Sequence, residues 1–340
     1  MSSLRSLALS SVELIARHQH PGGAYPACPD YSVYGYSWLR DGSFIADAMS
    51  RAGRPESATA FFAWCARVIA ARAGRISDLV RATGPIPASS MLPTRYTLDG
   101  GEGSEPWWDY QLDGYGTWLW AVAAHAARHN LSLEPYSAAI SSTVDYLDRF
   151  GGDACYDWWE EHPEHTHTST LASVAAGLRA VSFRSIDRPI QVSAGGYLPK
   201  WVGSEAVDGS LLACMVPFEV VAPGSPVAER TYEKICADLL RGGVYRYLGD
   251  TFYGGGEWLI LTAWLGWYEA RTGRTDLAWK RLEWVAAQAT EGGLLPEQVS
   301  GAVQDPGYIE EWTQRWGPVA TPLLWSHAMY ITLATELGVL

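Results

Sequence analysis

A short acidic segment, residues 156–162, carries the side chains best suited to proton transfer. Two adjacent carboxylates, Glu160 and Glu161, follow two indoles, Trp158 and Trp159. Apolar surroundings and a neighbouring negative charge both raise the pKa of a carboxyl group, which then keeps a proton to donate at neutral pH. The pattern predicts a general acid among these two glutamates. An acidic turn exposed to solvent would have the same local sequence, so both interpretations stay open here.

A second candidate for proton transfer is Glu297, in the run Leu295-Pro296-Glu297-Gln298. A proline fixes the backbone of the turn, and an amide follows the carboxylate. Both features suit a general base, which must be held at a defined position. A lone glutamate in a loop is more often solvated, and this alternative also stays open.

Arg40 and Asp41, at the predicted start of a helix, are candidates for binding sugar hydroxyls. They could form a bidentate clamp bordered by the rings of Tyr36 and Trp38. The structural alternative is that Asp41 caps the helix while Arg40 pairs with a carboxylate.

Two more loops have the same mixed polar and aromatic character. The first contains Trp107, Trp108, Gln111 and Asp113, and Asp113 could again act mainly as a helix cap. The second, residues 245–258, combines a cation, an acid, several rings and three glycines; its candidate binding residues are Arg246, Tyr247 and Asp250.

Phosphate and metal chemistry find little support in these loops. The three glycines at 254–256 lack the Lys-Ser/Thr pair of a phosphate-binding loop, so they are better explained by a tight turn. His162, His165 and His167 are close in sequence, but their spacing matches no established zinc motif, and Pro163 breaks a helical face. We expect neither a metal nor an organic cofactor.

Helical periodicity dominates the chain and must supply the elements that position these loops. It predicts helices at 3–17, 42–51, 55–72, 114–128, 135–149, 168–181, 226–240, 257–271, 277–290 and 322–337. Further candidates lie at 186–193 and 209–215. Several predicted helices have a proline in the first turn, namely Pro55, Pro135 and Pro226. Alternating strand patterns are scarce.

The elaborate loops recur at intervals along the chain. They precede helices that start near residues 41, 113, 168, 209, 257 and 321, and plainer amphipathic helices alternate with these six. Such an arrangement favours an all-α fold, an (α/α)6 barrel in which about twelve helices form a double ring. An open helical solenoid is the competing interpretation.

Composition excludes several classes of protein. The chain has 340 residues, 48% of them hydrophobic, and a formal net charge of −12 without runs of Lys or Arg. These values predict a globular protein, here a single domain over residues 1–340, that binds neither nucleic acid nor an anionic membrane. There are 17 Trp and 18 Tyr but only 7 Phe, a bias that suits surfaces meeting polar ligands such as sugars.

The cellular compartment is predicted from the cysteines and the N-terminus. The five cysteines are odd in number and form no CxxC pair, which is typical of reduced thiols. The first residues lack the unbroken apolar stretch of a signal peptide, and the longest apolar run, 258–267, is too short to span a bilayer. We therefore expect a cytoplasmic protein; its oligomeric state is left undecided.

Taken together and in order, these motifs resemble the glucoamylase family, glycoside hydrolase family 15, from about residue 31 to the C-terminus. The resemblance is carried by Trp38-Leu39-Arg40-Asp41-Gly42, Gln111-Leu112-Asp113-Gly114, Trp159-Glu160-Glu161, Arg246-Tyr247 with Asp250, Leu295-Pro296-Glu297-Gln298 and Trp325-Ser326-His327-Ala328. The run Val207-Asp208-Gly209-Ser210-Leu211-Leu212 also looks like a segment common in bacterial members.

The resemblance implies an (α/α)6 catalytic barrel and inverting hydrolysis of an α-glucosidic bond at the non-reducing end. It places Glu160 on the family's general acid and Glu297 on its general base. Either Trp107 or Trp108 would supply a stacking ring beside the acid. The other implied substrate-binding residues are Tyr36, Trp38, Arg40, Asp41, Gln111, Asp113, Trp159, Glu161, Arg246, Tyr247, Asp250 and Trp325.

By analogy with compact bacterial members, the expected substrates are short oligosaccharides with α-1,6 links, such as isomaltose. The alternatives are a trehalase or a maltooligosaccharide glucoamylase of the same family, a phosphorylase with the same barrel, or a catalytically silent sugar-binding protein. Many bacterial relatives have an Arg shortly after the acidic pair, where this chain has His162-Pro163. A basic residue expected just after Ser169 is also absent, so the resemblance says least about the leaving-group side of the pocket.

Overall fold

The structure is a computed structural model that describes residues 2–181 and 190–340. These residues contain thirteen α-helices, short 3-10 turns and two small antiparallel strand pairs. They separate into two compact units. Unit 1 comprises Met1–His18, Cys28–Gly35 and Gln191–Leu340, and unit 2 comprises Gln19–Ala27 and Tyr36–Ile190.

Unit 2 is built from two kinds of helix. Three of them are buried over most of their length, namely α2 (Leu39–Arg51), α5 (Asp113–His129) and α7 (Thr168–Val181), and α5 packs against both of the others. The remaining helices bury a narrower apolar stripe, as expected for amphipathic helices. Of these, α3 (Pro55–Ala70) and α6 (Ser137–Phe150) pack on the buried helices, and α4 (Ala73–Arg81) packs on α6. Buried and amphipathic helices thus alternate along much of this unit.

Two glycines let α5 and α7 approach closely. A Cβ at Gly116 would lie 2.5 Å from the Ser173 carbonyl oxygen, and one at Gly177 would lie 2.3 Å from the Gly116 carbonyl oxygen. No side chain fits at such distances, so only glycine permits this helix contact.

Unit 1 has a similar division between buried and amphipathic helices. The buried helices are α8 (Leu212–Met215), α10 (Leu259–Arg271) and α13 (Leu324–Glu336). The amphipathic ones are α1 (Ser2–His18), α9 (Pro226–Leu239), α11 (Thr275–Ala287) and the short α12 (Ile309–Trp316). Helices α10 and α13 pack together, and α1 covers α13.

The two strand pairs lie directly before buried helices. In unit 2, β1 (Ser37–Trp38) pairs with β2 (Arg95–Tyr96) and leads into α2. In unit 1, β3 (Glu257–Trp258) pairs with β4 (Gln298–Val299) and leads into α10. Each pair therefore ties the start of a buried helix to a distant loop.

All ten helices predicted from periodicity are present; the ends of α7 match the prediction, and at least one end of each of the others is shifted. Pro55 and Pro226 open α3 and α9 as expected, whereas Pro135 lies in a 3-10 turn before α6. Helices α4 and α12 were not predicted, and residues 257–258 form a strand. Half of the candidate helix at 186–193 lies outside the described residues, and residues 190–193 are not helical. The single-domain prediction stays a prediction.

None of the helices within the described ranges is long and apolar enough to cross a membrane.

Candidate active site

The predicted site residues form two groups, one in each unit. Unit 2 holds Tyr36, Trp38, Arg40, Asp41, Trp107, Trp108, Gln111, Asp113, Trp159, Glu160 and Glu161. Unit 1 holds Arg246, Tyr247, Asp250, Glu297 and Trp325.

The loop that carries Glu160 has an unusual backbone. Glu160 has a φ of 66°, in the left-handed region that residues with a side chain seldom adopt. Asp157 holds this conformation, because its Oδ1 accepts hydrogen bonds from the amides of Trp159 and Glu161, both at 2.9 Å. The Glu160 amide in turn donates to the Asp157 carbonyl at 3.0 Å. Strain of this kind is concentrated at functional sites in proteins.

Sequence reasoning placed Asp157 in the acidic loop but gave it no role. The available signal was an Asp two residues before a Trp-Glu-Glu run, since a short acidic side chain can accept backbone amides that follow it.

The Glu160 carboxyl is poised between two opposing influences. Burial raises its pKa, while the Arg40 charge and hydrogen bonds from Trp107 and Trp38 lower it; the net direction is upward. Trp38 Nε1 donates to Glu160 Oε1 at 2.7 Å. A carboxyl group with a raised pKa and a fixed orientation can serve as a proton donor.

The two adjacent tryptophans make different contacts. Trp107 interacts with Glu160 and meets the Trp38 ring edge-on, with 5.9 Å between ring centroids. Trp108 contributes its backbone instead, since its carbonyl accepts a hydrogen bond from Thr94 Oγ1 at 3.2 Å. These contacts favour Trp107 for the ring beside the candidate acid, and the assignment stays a prediction.

A cation that sequence reasoning missed lies behind these indoles. The guanidinium of Arg95 is 3.6 Å from the Trp107 ring centroid and 4.0 Å from that of Tyr36. Tyr36 donates a hydrogen bond to Glu105, which also lies 3.8 Å from Arg95. Arg95 stands opposite Trp38 in the β1–β2 pair. Only this long-range strand pairing brings it here, so no local sequence signal could have identified it.

Arg40 is the centre of a buried polar cluster. Its Nη1 donates to Gln111 Oε1 at 2.8 Å and to Asp113 Oδ2 at 3.0 Å, and its Nη2 lies 3.5 Å from Asp41 Oδ2. Burial alone would lower the pKa of Arg40, but Asp113, Asp41 and Glu160 together raise it above its usual value. The guanidinium is therefore a permanent charge in this cluster.

The structural alternative, in which Asp41 and Asp113 cap helices, is wrong. Trp38 is the N-cap residue of α2 and Leu112 that of α5, so both aspartates lie within the first turn. Their carboxylates face Arg40 instead. The pairing of Arg40 with carboxylates, which was the other half of the structural alternative, is confirmed. Burial raises the pKa of Asp41 to about 6, although Arg40 opposes the shift.

The histidines that follow the acidic loop take part in local contacts. His167 lies 2.9 Å through Nε2 from the His162 carbonyl, and His165 lies 3.3 Å from the Glu164 carboxylate. Over the described part of the chain, no group of three or more potential ligands could hold a metal ion.

In unit 1, Arg246 and Asp250 form a buried bidentate ion pair. Arg246 Nε lies 2.7 Å from Asp250 Oδ2 and its Nη2 lies 2.5 Å from Oδ1. Asp250 Oδ1 also accepts the Phe252 amide at 2.9 Å. This double pairing holds the guanidinium in one plane, as bidentate recognition of polar groups requires.

Next to this pair, a lysine supports the ring of Tyr247. Lys200 Nζ lies 3.2 Å from the Tyr247 ring centroid and 3.2 Å from Asp208 Oδ2. Asp208 belongs to the segment 207–212 noted in the sequence, and the Gly209 amide donates to the Arg246 carbonyl at 2.7 Å. The segment is thus hydrogen-bonded to the loop that carries Arg246 and Tyr247.

Glu297 is buried immediately before β4. Its amide donates to the Ala320 carbonyl at 3.0 Å, and its carbonyl accepts the Leu259 amide at 3.4 Å. Tyr31 and Tyr253, whose hydroxyls are 2.9 Å apart, lie close by. Burial raises the pKa of both phenols, and the charge of Glu297 raises it further. Trp325 is buried in the first turn of α13, with its ring 6.2 Å from that of Trp264.

The geometry offers two carboxyl groups in different settings: Glu160 lies among indoles beside the Arg40 cluster, and Glu297 lies near two phenols. Residues 3–185 match the family model described as Glycosyl hydrolases family 15. The chain belongs to this family. It is 50% identical to the isomaltose glucohydrolase of Kribbella flavida over an alignment that covers 100% of this chain and 94% of the relative.

Solved structures agree with the family 15 assignment. A wild-type glycosidase is 48% identical and matches with a TM-score of 0.94, covering 100% of this chain and 98% of its own. A bacterial glucoamylase, 20% identical, matches with a TM-score of 0.77 over 98% of this chain and 55% of its own, which is evidence for the fold alone. The family 15 protein is a glycoside hydrolase with the (α/α)6 barrel fold, so both predictions are confirmed.

Proposed function

We propose that the protein is an exo-acting, inverting α-glucosidase that releases β-glucose from the non-reducing end of short α-gluco-oligosaccharides, with isomaltose as the preferred substrate. The observation that carries the mechanism is Glu160, a carboxyl group with a raised pKa that receives an indole hydrogen bond at 2.7 Å. The preference for α-1,6 links is supported by the half-identical isomaltose glucohydrolase.

In this mechanism Glu160 is the general acid and Glu297 the general base. Glu160 transfers its proton to the glycosidic oxygen as the bond from that oxygen to the anomeric carbon breaks. Glu297 accepts a proton from a water molecule, whose oxygen attacks the anomeric carbon from the opposite face. One water is consumed. The products are β-glucose and the remainder of the oligosaccharide, whose freed oxygen carries the proton from Glu160. Inversion calls for about 6.5–9.5 Å between the two carboxyl groups, so that the water fits between them.

The two arginine clusters are suited to holding the terminal glucose. Arg40 with Asp41, and Arg246 with Asp250, present fixed donors and acceptors that burial orients before a sugar arrives. Preorganised groups lose little entropy when a ligand binds. The other substrate-binding candidates in unit 2 are the rings of Tyr36, Trp38, Trp107, Trp108 and Trp159 and the polar side chains of Gln111, Asp113 and Glu161. Those in unit 1 are the rings of Tyr247 and Trp325.

Proton NMR of the purified protein tests this proposal directly. Isomaltose, maltose and trehalose are incubated separately and the anomeric signals are followed from the first minutes. We expect β-glucose to appear first, and fastest from isomaltose. Early α-glucose would contradict the water-activating role of Glu297. Faster release from trehalose or maltose would correct the linkage, and glucose binding without turnover would favour a silent sugar-binding protein.

The two carboxyl roles are tested by Glu160→Gln and Glu297→Gln. Each amide keeps the size of the side chain and removes its proton chemistry, so kcat should fall by about 10²–10⁴-fold. Activity close to wild type in either variant would refute the corresponding role.

The proposed setting is the cytoplasm. All five cysteines are free thiols, and four of them are buried, as expected of a protein kept in a reducing compartment. The net charge of −12 opposes binding to the negatively charged phosphates of nucleic acids, so we propose no nucleic-acid partner.

A further inference from the structure

Two neighbouring side chains of α13 hold the turn that carries Glu297 through hydrogen bonds to its backbone. The Leu295 amide donates to His327 Nε2 at 3.0 Å, and Ser326 Oγ donates to the Pro296 carbonyl at 2.8 Å. Both side chains are buried, with Ser326 fully inaccessible to solvent and His327 only 1% exposed. The two residues immediately before the candidate base are thus fixed to a rigid buried helix.

The hydrogen bonds of His327 determine which of its nitrogens carries the proton. Nε2 accepts the Leu295 amide, so it must be unprotonated. The proton is therefore on Nδ1, which lies 2.8 Å from Ser11 Oγ in α1 and can donate to it. Burial lowers the pKa of His327 to about 3, so the ring stays neutral over the working range of an enzyme. A protonated ring would present a second N–H to the Leu295 amide, and this contact would be lost.

The two hydrogen bonds also fix the orientation of the His327 ring. An imidazole anchored through both nitrogens cannot rotate about its ring axis without breaking one of two buried hydrogen bonds, and each such break leaves a polar group unsatisfied. The path from Ser11 through His327 to the Leu295 amide therefore makes the backbone two residues before Glu297 as rigid as the packing of α1 on α13.

We propose that His327 is a positioning residue for Glu297: its neutral imidazole, oriented by Ser11, fixes the 295–297 turn so that the carboxylate meets the attacking water at a productive angle. The inference rests on the proposed function, in which Glu297 is the general base. It also explains why a histidine follows Ser326 on α13 at a site where no proton transfer is needed.

Two amide variants separate the anchoring nitrogen from the rest of the ring. Glutamine can place an amide oxygen near the position of Nε2, whereas asparagine reaches only the position of Nδ1. We expect His327→Asn to lower kcat by about 10–100-fold with KM within about twofold, because misplacement by around 1 Å can cost 10²-fold. His327→Gln should stay within about fivefold of wild type. Ser11→Ala, which removes only the outer partner, should fall between them.

The choice of substrate distinguishes positioning of the base from a general loss of structure. Fluoride leaves α-glucosyl fluoride without help from an acid, so this substrate depends on the base alone. His327→Asn should slow its hydrolysis as strongly as that of isomaltose. Trp38→Phe, which acts on the acid, should slow isomaltose more than the fluoride. Melting temperatures and active fractions, measured on the same samples, correct the rates for unfolded protein.

Amide hydrogen exchange provides a readout independent of activity. Exchange in the peptide that contains Leu295 should be faster in His327→Asn than in wild type and His327→Gln. Wild-type kcat in the asparagine variant, equal losses in the two amide variants, or a loss confined to isomaltose would each overturn the proposal. A wild-type protein that hydrolyses neither substrate would instead refute the proposed function, and the exchange data would still show whether His327 holds the turn.

Discussion

Trp38→Phe removes one defined donor from the candidate acid and leaves an aromatic ring in place. The lost interaction is the 2.7 Å hydrogen bond from the indole to Glu160 Oε1, which lowers the pKa of that carboxyl group. Without it the ionised form is less stable and the pKa of Glu160 rises. The ring of phenylalanine keeps part of the contact with Trp107 and Arg95, so the change is mainly electrostatic.

The size of this shift follows from the hydrogen bond that is removed. A hydrogen bond to a charged group contributes about 1.5–3 kcal/mol, and one pKa unit corresponds to about 1.4 kcal/mol. Full loss would thus raise the pKa by about 1–2 units. Because Glu160 is only half-buried, water can replace part of the interaction, and we expect about 1 unit.

The pH dependence of kcat/KM on isomaltose measures this shift. A general acid must be protonated, so its pKa sets the alkaline limb of the profile. We expect that limb to move upward by about 1 unit in Trp38→Phe, with a lower rate at the optimum. Trp64→Phe is the matched control, since it removes an indole donor from the Leu98 carbonyl, away from Glu160. An alkaline limb that is unchanged or moves downward in Trp38→Phe would refute the reasoning.

Three further perturbations test other parts of the structure. Asp157→Ala removes the acceptor of two backbone amides beside Glu160, so kcat should fall by about 10–100-fold, whereas Asp157→Asn keeps an acceptor and should retain most activity in the same assay. Asp250→Ala leaves the buried Arg246 charge without its carboxylate and should lower the free energy of unfolding in urea by about 3–5 kcal/mol; a change below 1 kcal/mol would contradict this. Burial lowers the pKa of His125 from 6.5 to about 4, so the unfolded chain binds more protons and stability falls as the pH drops through this interval. His125→Gln should reduce the loss of unfolding free energy between pH 7 and pH 4 by about 2–3 kcal/mol, and an unchanged pH slope would show that His125 titrates normally in the folded protein.

Much of the fold could be predicted because the apolar residues of the long helices follow a regular period. The two missed helices lack that advantage. Helix α4 follows α3 after only two residues, so its pattern merges with that of the preceding helix, and α12 is eight residues long and buries none of them fully. Short helices of this kind are stabilised by tertiary packing more than by their own sequence.

The loops that carry the candidate site could be predicted from the sequence, but the contacts between their side chains could not. Residue types and order identified Glu160 and the arginines, since unusual side chains cluster before buried helices. Arg40 lies in α2, whereas its partners Gln111 and Asp113 lie just before and at the start of α5, some 70 residues later. The position of Arg95 depends on the register of the β1–β2 pair. Local patterns contain no information about such distant pairings, so helix capping stayed open as an alternative role for Asp41 and Asp113.

The left-handed backbone at Glu160 sets chemistry against conformational preference. Glycine or asparagine adopts a φ of 66° at lower cost than glutamate does. Random mutagenesis followed by selection for thermal stability alone would therefore enrich glycine or asparagine at position 160. The selected variants would be more stable but would lack the proposed proton donor. Engineering a more thermostable form of this protein thus requires that turnover be screened in every round, because the conformation of this position favours residues that cannot donate a proton.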